Sequence, residues 1–225
     1  MMKTKKVSLI AGISVCSLVV LLTVVYAVLT DAFVSAEKYA PPCDIEESYA
    51  KDAIEWVVQN GWMTVEMIDG QAYFFPKNHV TRGEIAKILV SYLDIDSSDY
   101  ADAALGFADE TQIPTADLPD IRAVVSCGHV KLFSDYTYRR GATLTREETA
   151  DIFAPLCRTS ASTGKTGSFS DYGEVSLYFE ENVRKLVNLE ILIGYPDGKL
   201  RPKNDITREE LAIMLYRLAV TESCN

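Results

Sequence analysis

Apolar residues follow two different patterns along this chain. Val7 to Leu29 is an unbroken uncharged run, whereas further on apolar positions recur at helical spacing between polar turns. Ile85, Ile88, Leu89 and Tyr92 mark one helical face, as do Ile152, Phe153 and Leu156, and again Leu211, Met214, Leu215 and Leu218. Each face follows the same opening: Thr81-Arg82-Gly83-Glu84, Thr145-Arg146-Glu147-Glu148 and Thr207-Arg208-Glu209-Glu210. A Thr followed three residues later by Glu is the capping box of a helix start, in which each side chain serves the other's backbone amide.

A second apolar helical stretch lies upstream of each box. It is carried by Ala53, Ile54, Val57 and Val58, then by Ile121, Val124 and Val125, then by Val183, Leu186 and Val187. Phe107-Ala108-Asp109 and Phe169-Ser170-Asp171 stand before the second and third of these, at the same distance from the following Arg. Cys43-Asp44 holds that place in the first. Turn residues separate the two helices of each unit, most clearly Gly194-Tyr195-Pro196-Asp197-Gly198. The chain therefore reads as mainly α, with three helix-loop-helix repeats over 44–93, 107–157 and 169–219, joined by polar connectors. A two-helix unit of this size cannot bury its apolar stripe alone, so the repeats must share a core.

The N-terminal run follows the basic opening Lys3, Lys5 and Lys6 and ends near Val34-Ser35-Ala36. Residues 1–36 are therefore either a signal peptide cleaved after Ala36 or an uncleaved membrane anchor, with 37–43 as a linker. Both readings export everything that follows, to the cell surface or wall. The net charge of −10 disfavours nucleic acid and anionic lipid, so an anionic ligand must be caught by a local pocket. Of the five cysteines, Cys43, Cys127, Cys157 and Cys224 would meet an oxidising compartment, and their spacing leaves all three pairings open. No metal motif or cofactor fingerprint is present, and His79 and His129 share no spacing with other ligand types.

At the Phe-x-Asp opening, the Gly-Tyr-Pro-Asp-Gly loop, Arg201-Pro202-Lys203-Asn204 and Ile206-Thr207-Arg208-Glu209-Glu210, the sequence resembles the S-layer homology family. That resemblance implies a pseudo-threefold, three-pronged helical spindle, here behind an N-terminal hydrophobic helix. It also implies binding of acidic, often pyruvylated, secondary cell-wall polysaccharide in grooves between prongs. Its ligand residues would be Arg82, Arg146 and Arg208, each beside a helix start where a guanidinium fork can take a carboxylate. Trp62 and Tyr195 would supply a sugar-stacking face, with Gly194 beside them in the ligand site, and Asp109 and Asp171 would accept sugar hydroxyl hydrogens. In a closed threefold arrangement Cys43 and Cys224 would meet as a disulfide, leaving Cys127 and Cys157 as buried thiols. The second repeat, with Leu132-Phe133-Ser134-Asp135-Tyr136 in place of the glycine loop, is expected to have a spoiled groove. Competing readings are an adaptor whose repeats bind envelope protein, and a wall-glycan hydrolase, for which no nucleophile or metal signature appears.

Overall fold

Thr81, Thr145 and Thr207 each stop a stretch of extended chain and start a helix. Their backbones are extended, and their hydroxyls accept from the amides of Glu84, Glu148 and Glu210. The computed structural model describes residues 41–158 and 169–221, and from Pro42 onward these belong to one compact unit. Among the described residues there are six α-helices: α1 (Lys51–Gln59), α2 (Arg82–Tyr92), α3 (Leu118–Ser126), α4 (Arg146–Phe153), α5 (Glu180–Asn188) and α6 (Arg208–Val220). One antiparallel ribbon, β1 (Glu66–Ile68) with β2 (Gln71–Tyr73), fills the extra length of the first segment. None of the described helices is long and apolar enough to cross a membrane. The N-terminal apolar run, its cleavage site and Cys224 lie outside the described residues.

The first helix of each segment ends by a common device. Gly61 (φ 72°), Gly128 (φ 77°) and Glu190 (φ 59°) are left-handed, and the residue after each donates back into the last helical turn. Glycine adopts that backbone freely, so Glu190 is the strained member of the set.

The two helices of one segment are not each other's partners. α2 packs on α3, α4 on α5, and α6 on α1, so every helix pair joins two segments.

The strands before the capped helices explain the exchange. Val80 N–H donates to Ile206 C=O (3.0 Å), Ile206 N–H to Leu144 C=O (2.8 Å), and Leu144 N–H to Val80 C=O (3.2 Å). Three hydrogen bonds thus close a ring through all three segments, and the side chains of Val80, Leu144 and Ile206 are buried. Each such side chain contributes about 1.5–3 kcal/mol by leaving water.

The cysteines differ from expectation. Cys43 and Cys127 are exposed free thiols, whereas Cys157 is disulfide-bonded. The amide of Cys43 is fixed to Ala72 C=O (2.8 Å) at the ribbon and its thiol is free, so a Cys43–Cys224 staple does not form. Cys127 instead lies 3.3 Å from the Tyr100 hydroxyl.

Candidate functional site

The three arginines are built into the junctions between segments. Arg82 Nε donates to Tyr138 C=O (2.6 Å) and Nη2 to Lys131 C=O (2.7 Å). Arg146 does the same to Leu200 (2.9 Å) and Ile193 (2.6 Å), and Arg208 to Phe74 (2.7 Å) and Thr64 (2.7 Å). Each guanidinium therefore grips two carbonyls of the next segment's loop, and the third grips the first. With Nε and one N–H of Nη2 engaged, the side-on fork is spent, and the Nη1 end is what remains for a ligand.

An aromatic ring stacks against each cation. Arg82 Cζ lies 4.7 Å from the centre of Phe133, Arg146 Cζ 4.9 Å from Tyr195, and Arg208 Cζ 4.4 Å from Phe74. Burial lowers the pKa of Arg82, and lowers that of Arg208 to about 10, so both stay protonated at neutral pH.

A groove opens beside each arginine. The Arg82 groove (≈ 430 Å³) is walled by Lys131, Phe133, Glu148, Asp151 and Tyr178. The Arg146 groove (≈ 660 Å³) is the least polar, with Tyr49, Ile193, Gly194, Tyr195 and Met214. The Arg208 groove (≈ 310 Å³) holds Lys87, Arg140, Glu84 and the stacked rings of Tyr73 and Phe75.

Tyr195 and Gly194 line the Arg146 groove. The Tyr195 hydroxyl donates to Glu210, and burial, then that bond, raises its pKa to about 12. Gly194 leaves no room for a side chain: a Cβ would collide with the Phe169 ring and come within 2.8 Å of Lys199 C=O.

Asp109 and Asp171 have another task. The carboxylate of Asp171 accepts from the amides of Leu200 (2.7 Å) and Arg201 (2.8 Å), and that of Asp109 from Tyr138 (2.8 Å) and Arg139 (2.8 Å). Asp44 makes the same pair with Phe74 (2.8 Å) and Phe75 (2.7 Å). In each case the second amide belongs to a left-handed residue, Phe75, Arg139 or Arg201. These carboxylates hold the loop that offers its carbonyl to an arginine, and neither Asp109 nor Asp171 lines the three grooves. Burial alone would raise the Asp171 pKa, but the two amides more than reverse it and hold it below the ordinary value. Trp62 is likewise outside the grooves, packed edge-on between Trp56 (4.8 Å) and Tyr92 (4.6 Å).

The turn of the second segment keeps its geometry despite lacking glycine. Phe133 N–H donates to Thr137 C=O (3.0 Å) as Tyr195 N–H does to Lys199 (2.8 Å), and Tyr136 (φ 61°) takes the left-handed place of Gly198 (φ 75°). The altered turn therefore keeps the backbone course of the glycine loop. Phe133 faces both Arg82 and Arg139 as Tyr195 faces Arg146 and Arg201.

Sequence reasoning missed the glutamates as groove residues, because a Glu at the third helical position reads only as a cap. It also missed Tyr49 and Tyr178, whose exposed rings lie beneath Lys77 (5.2 Å) and Lys131 (5.3 Å). No cluster of metal-ligating residues occurs among the described residues.

Residues 168–212 match the S-layer homology domain. The chain is also similar to cell surface glycoprotein 1 of Acetivibrio thermocellus, 29% identical over 157 residues, which is 64% of this chain and 6% of that protein. It is similar to an amylopullulanase of Thermoanaerobacterium thermosulfurigenes, 27% identical over 181 residues, 78% of this chain and 9% of the enzyme. The chain thus spans less than a tenth of either relative.

Proposed function

Residues 168–212 being an S-layer homology domain, we propose that the chain is a non-catalytic envelope protein that binds secondary cell-wall polysaccharide and so anchors at the cell surface. In this reading 44–93 and 107–157 are divergent copies of the same repeat, and the three form a pseudo-threefold spindle whose junction grooves receive the polymer. An acidic substituent such as a pyruvate ketal would meet the Nη1 end of an arginine, and the sugar face would lie on a neighbouring ring.

The observation that supports it is the repetition of one arrangement at all three junctions: an arginine fixed by two carbonyls, set over an aromatic ring, at the edge of a groove. A cation already immobilised by the fold loses little freedom on binding. The hydrolytic reading rests on the name of a relative of which this chain spans 9%.

Cosedimentation with purified cell walls tests the proposal. The protein should pellet with intact walls and remain in solution once the secondary polysaccharide is stripped. Equal pelleting before and after stripping would overturn polysaccharide binding in favour of another wall component.

A further inference from the structure

The glutamates at the third position of α2, α4 and α6 are equivalent in sequence but not in what they do. Glu148 accepts from Thr145 N–H (2.8 Å) and Glu210 from Thr207 N–H (3.1 Å), completing a capping box in each helix. Each carboxylate is thereby held on its own helix start. Glu210 stands 3.6 Å from Arg146 Nη1, and no ion pair joins Glu148 to Arg82 among the described residues.

Glu84 breaks the pattern. Thr81 accepts from the Glu84 amide (3.2 Å), but the return bond from the Glu84 side chain to Thr81 N–H is missing. The carboxylate has turned instead to Arg208 Nη1 as an ion pair, and its Oε1 is shut off from solvent without a hydrogen-bond partner. It occupies the one end of the Arg208 guanidinium that the carbonyls of Phe74 and Thr64 leave over.

We propose that Glu84 is a resident competitor for the Arg208 groove, holding the place that a carboxylate of the polymer must take. This rests on the binding reading above. A carboxylate entering the groove displaces Glu84 from Nη1. The freed side chain then turns to Thr81 N–H and completes the capping box that α4 and α6 already have. The exchange replaces one ion pair of Arg208 by another and gives the Glu84 carboxylate the Thr81 amide, so the groove opens to a carboxylate and stays closed to an uncharged sugar. In the Arg146 and Arg82 grooves the equivalent Glu210 and Glu148 already hold their own capping boxes, Glu210 while also standing near Arg146 Nη1, so neither has a second place to turn to. Glu84 is a specificity-determining residue in this scheme, and Gly83 beside it keeps the helix start close to the Arg140 chain.

The test is titration of the full chain and its Glu84→Gln variant with purified wall polysaccharide, intact and with its acidic substituents removed. Glu84→Gln should bind the intact polymer about tenfold tighter, the equivalent of one charge-assisted bond no longer broken. It should lose the discrimination against the stripped polymer at that groove. Glu148→Gln, which removes only a cap, should show no gain. As a second readout, the Thr81 amide proton of the wild type should move downfield on binding intact polymer, and should not in Glu84→Gln. Unchanged or weaker binding by Glu84→Gln, with the wild type binding normally, overturns the competitor role and leaves polymer binding standing. Failure of the wild type to bind either polymer removes both.

Discussion

The junctions differ in how they keep a buried acid satisfied. Where the second segment meets the third, Glu147 is buried and receives Ser176 N–H (3.0 Å), its hydroxyl (2.9 Å) and Lys203 (2.6 Å). Where the third meets the first, Glu209 receives Ser48 (2.8 Å) and Lys77 (2.5 Å) in the same way. The junction of first and second segments has Gly83 at that position and so no acid there. Its acid comes from the opposite side: Asp117, 3% exposed, pairs with Lys87 (2.7 Å) and Arg140. A Cβ on Gly83 would lie 2.6 Å from Arg140 Cγ, so loss of the glutamate is what admits the arginine. The lesson is that the junction requires a paired acid and base in this place, while either partner segment can contribute the acid.

The largest effect should come from breaking what all three junctions share. Arg146→Ala leaves the carbonyls of Leu200 and Ile193 without their donor beneath the surface. It should destabilise the fold by about 3 kcal/mol, since bonds from a charged donor are worth about 1.5–3 kcal/mol each before compensation. A thermal or denaturant melt checks it. An intact melt would show the arginine to be free for ligand, as the resemblance implies for all three.

The difference between junctions is sharpened by Asp117→Asn, which should cost about 1–2 kcal/mol at neutral pH by leaving Lys87 and Arg140 without a counter-charge. Burial would by itself raise the Asp117 pKa, but bonds from Lys87 and Arg140 more than reverse it, holding it below 3.8. A depressed carboxyl stabilises the fold above its unfolded pKa and loses that contribution as pH falls through the folded one. The melts of wild type and Asp117→Asn should therefore differ at pH 7 and converge toward about pH 2. A gap that persists in acid would mean that packing rather than charge sets this junction apart.

A smaller change should follow at the helix ends, where two segments use glycine and the third uses Glu190. Glu190→Gly should stabilise the protein by about 1 kcal/mol through relief of the left-handed backbone. A lowered melting temperature would show that its side-chain contact outweighs that strain.

What could be read from the sequence was local. The threonine caps and the apolar faces need only neighbours within one helix to be recognised, and all three capped helices start at the Thr-Arg pair. The arginines were legible as a repeated feature, but their inward grip was not, because Phe74 and Thr64 lie far along the chain from Arg208. Asp171 was legible as part of a motif, yet its work on the amides of Leu200 and Arg201 depends on a loop folding back. The Phe133 turn misled for the opposite reason: absence of glycine suggested altered geometry, whereas hydrogen bonds hold Tyr136 in a backbone that glycine would take freely. The cysteine pairing failed because it depends on where chain ends fall after the segments exchange helices.

The ring of bonds through Val80, Leu144 and Ile206 also bears on the order in which this protein can fold. Its closing contacts join the first segment to the third, and among the described residues the main helix partner of α1 is α6. A chain emerging from synthesis or translocation can cap α2 and α4 as they appear, but α1 must wait with its apolar face uncovered until the last helix arrives. Folding is then one late, concerted event with a large loop-closure cost rather than a stepwise stacking from one end, and a chain cut short of α6 would have no folded intermediate to rest in.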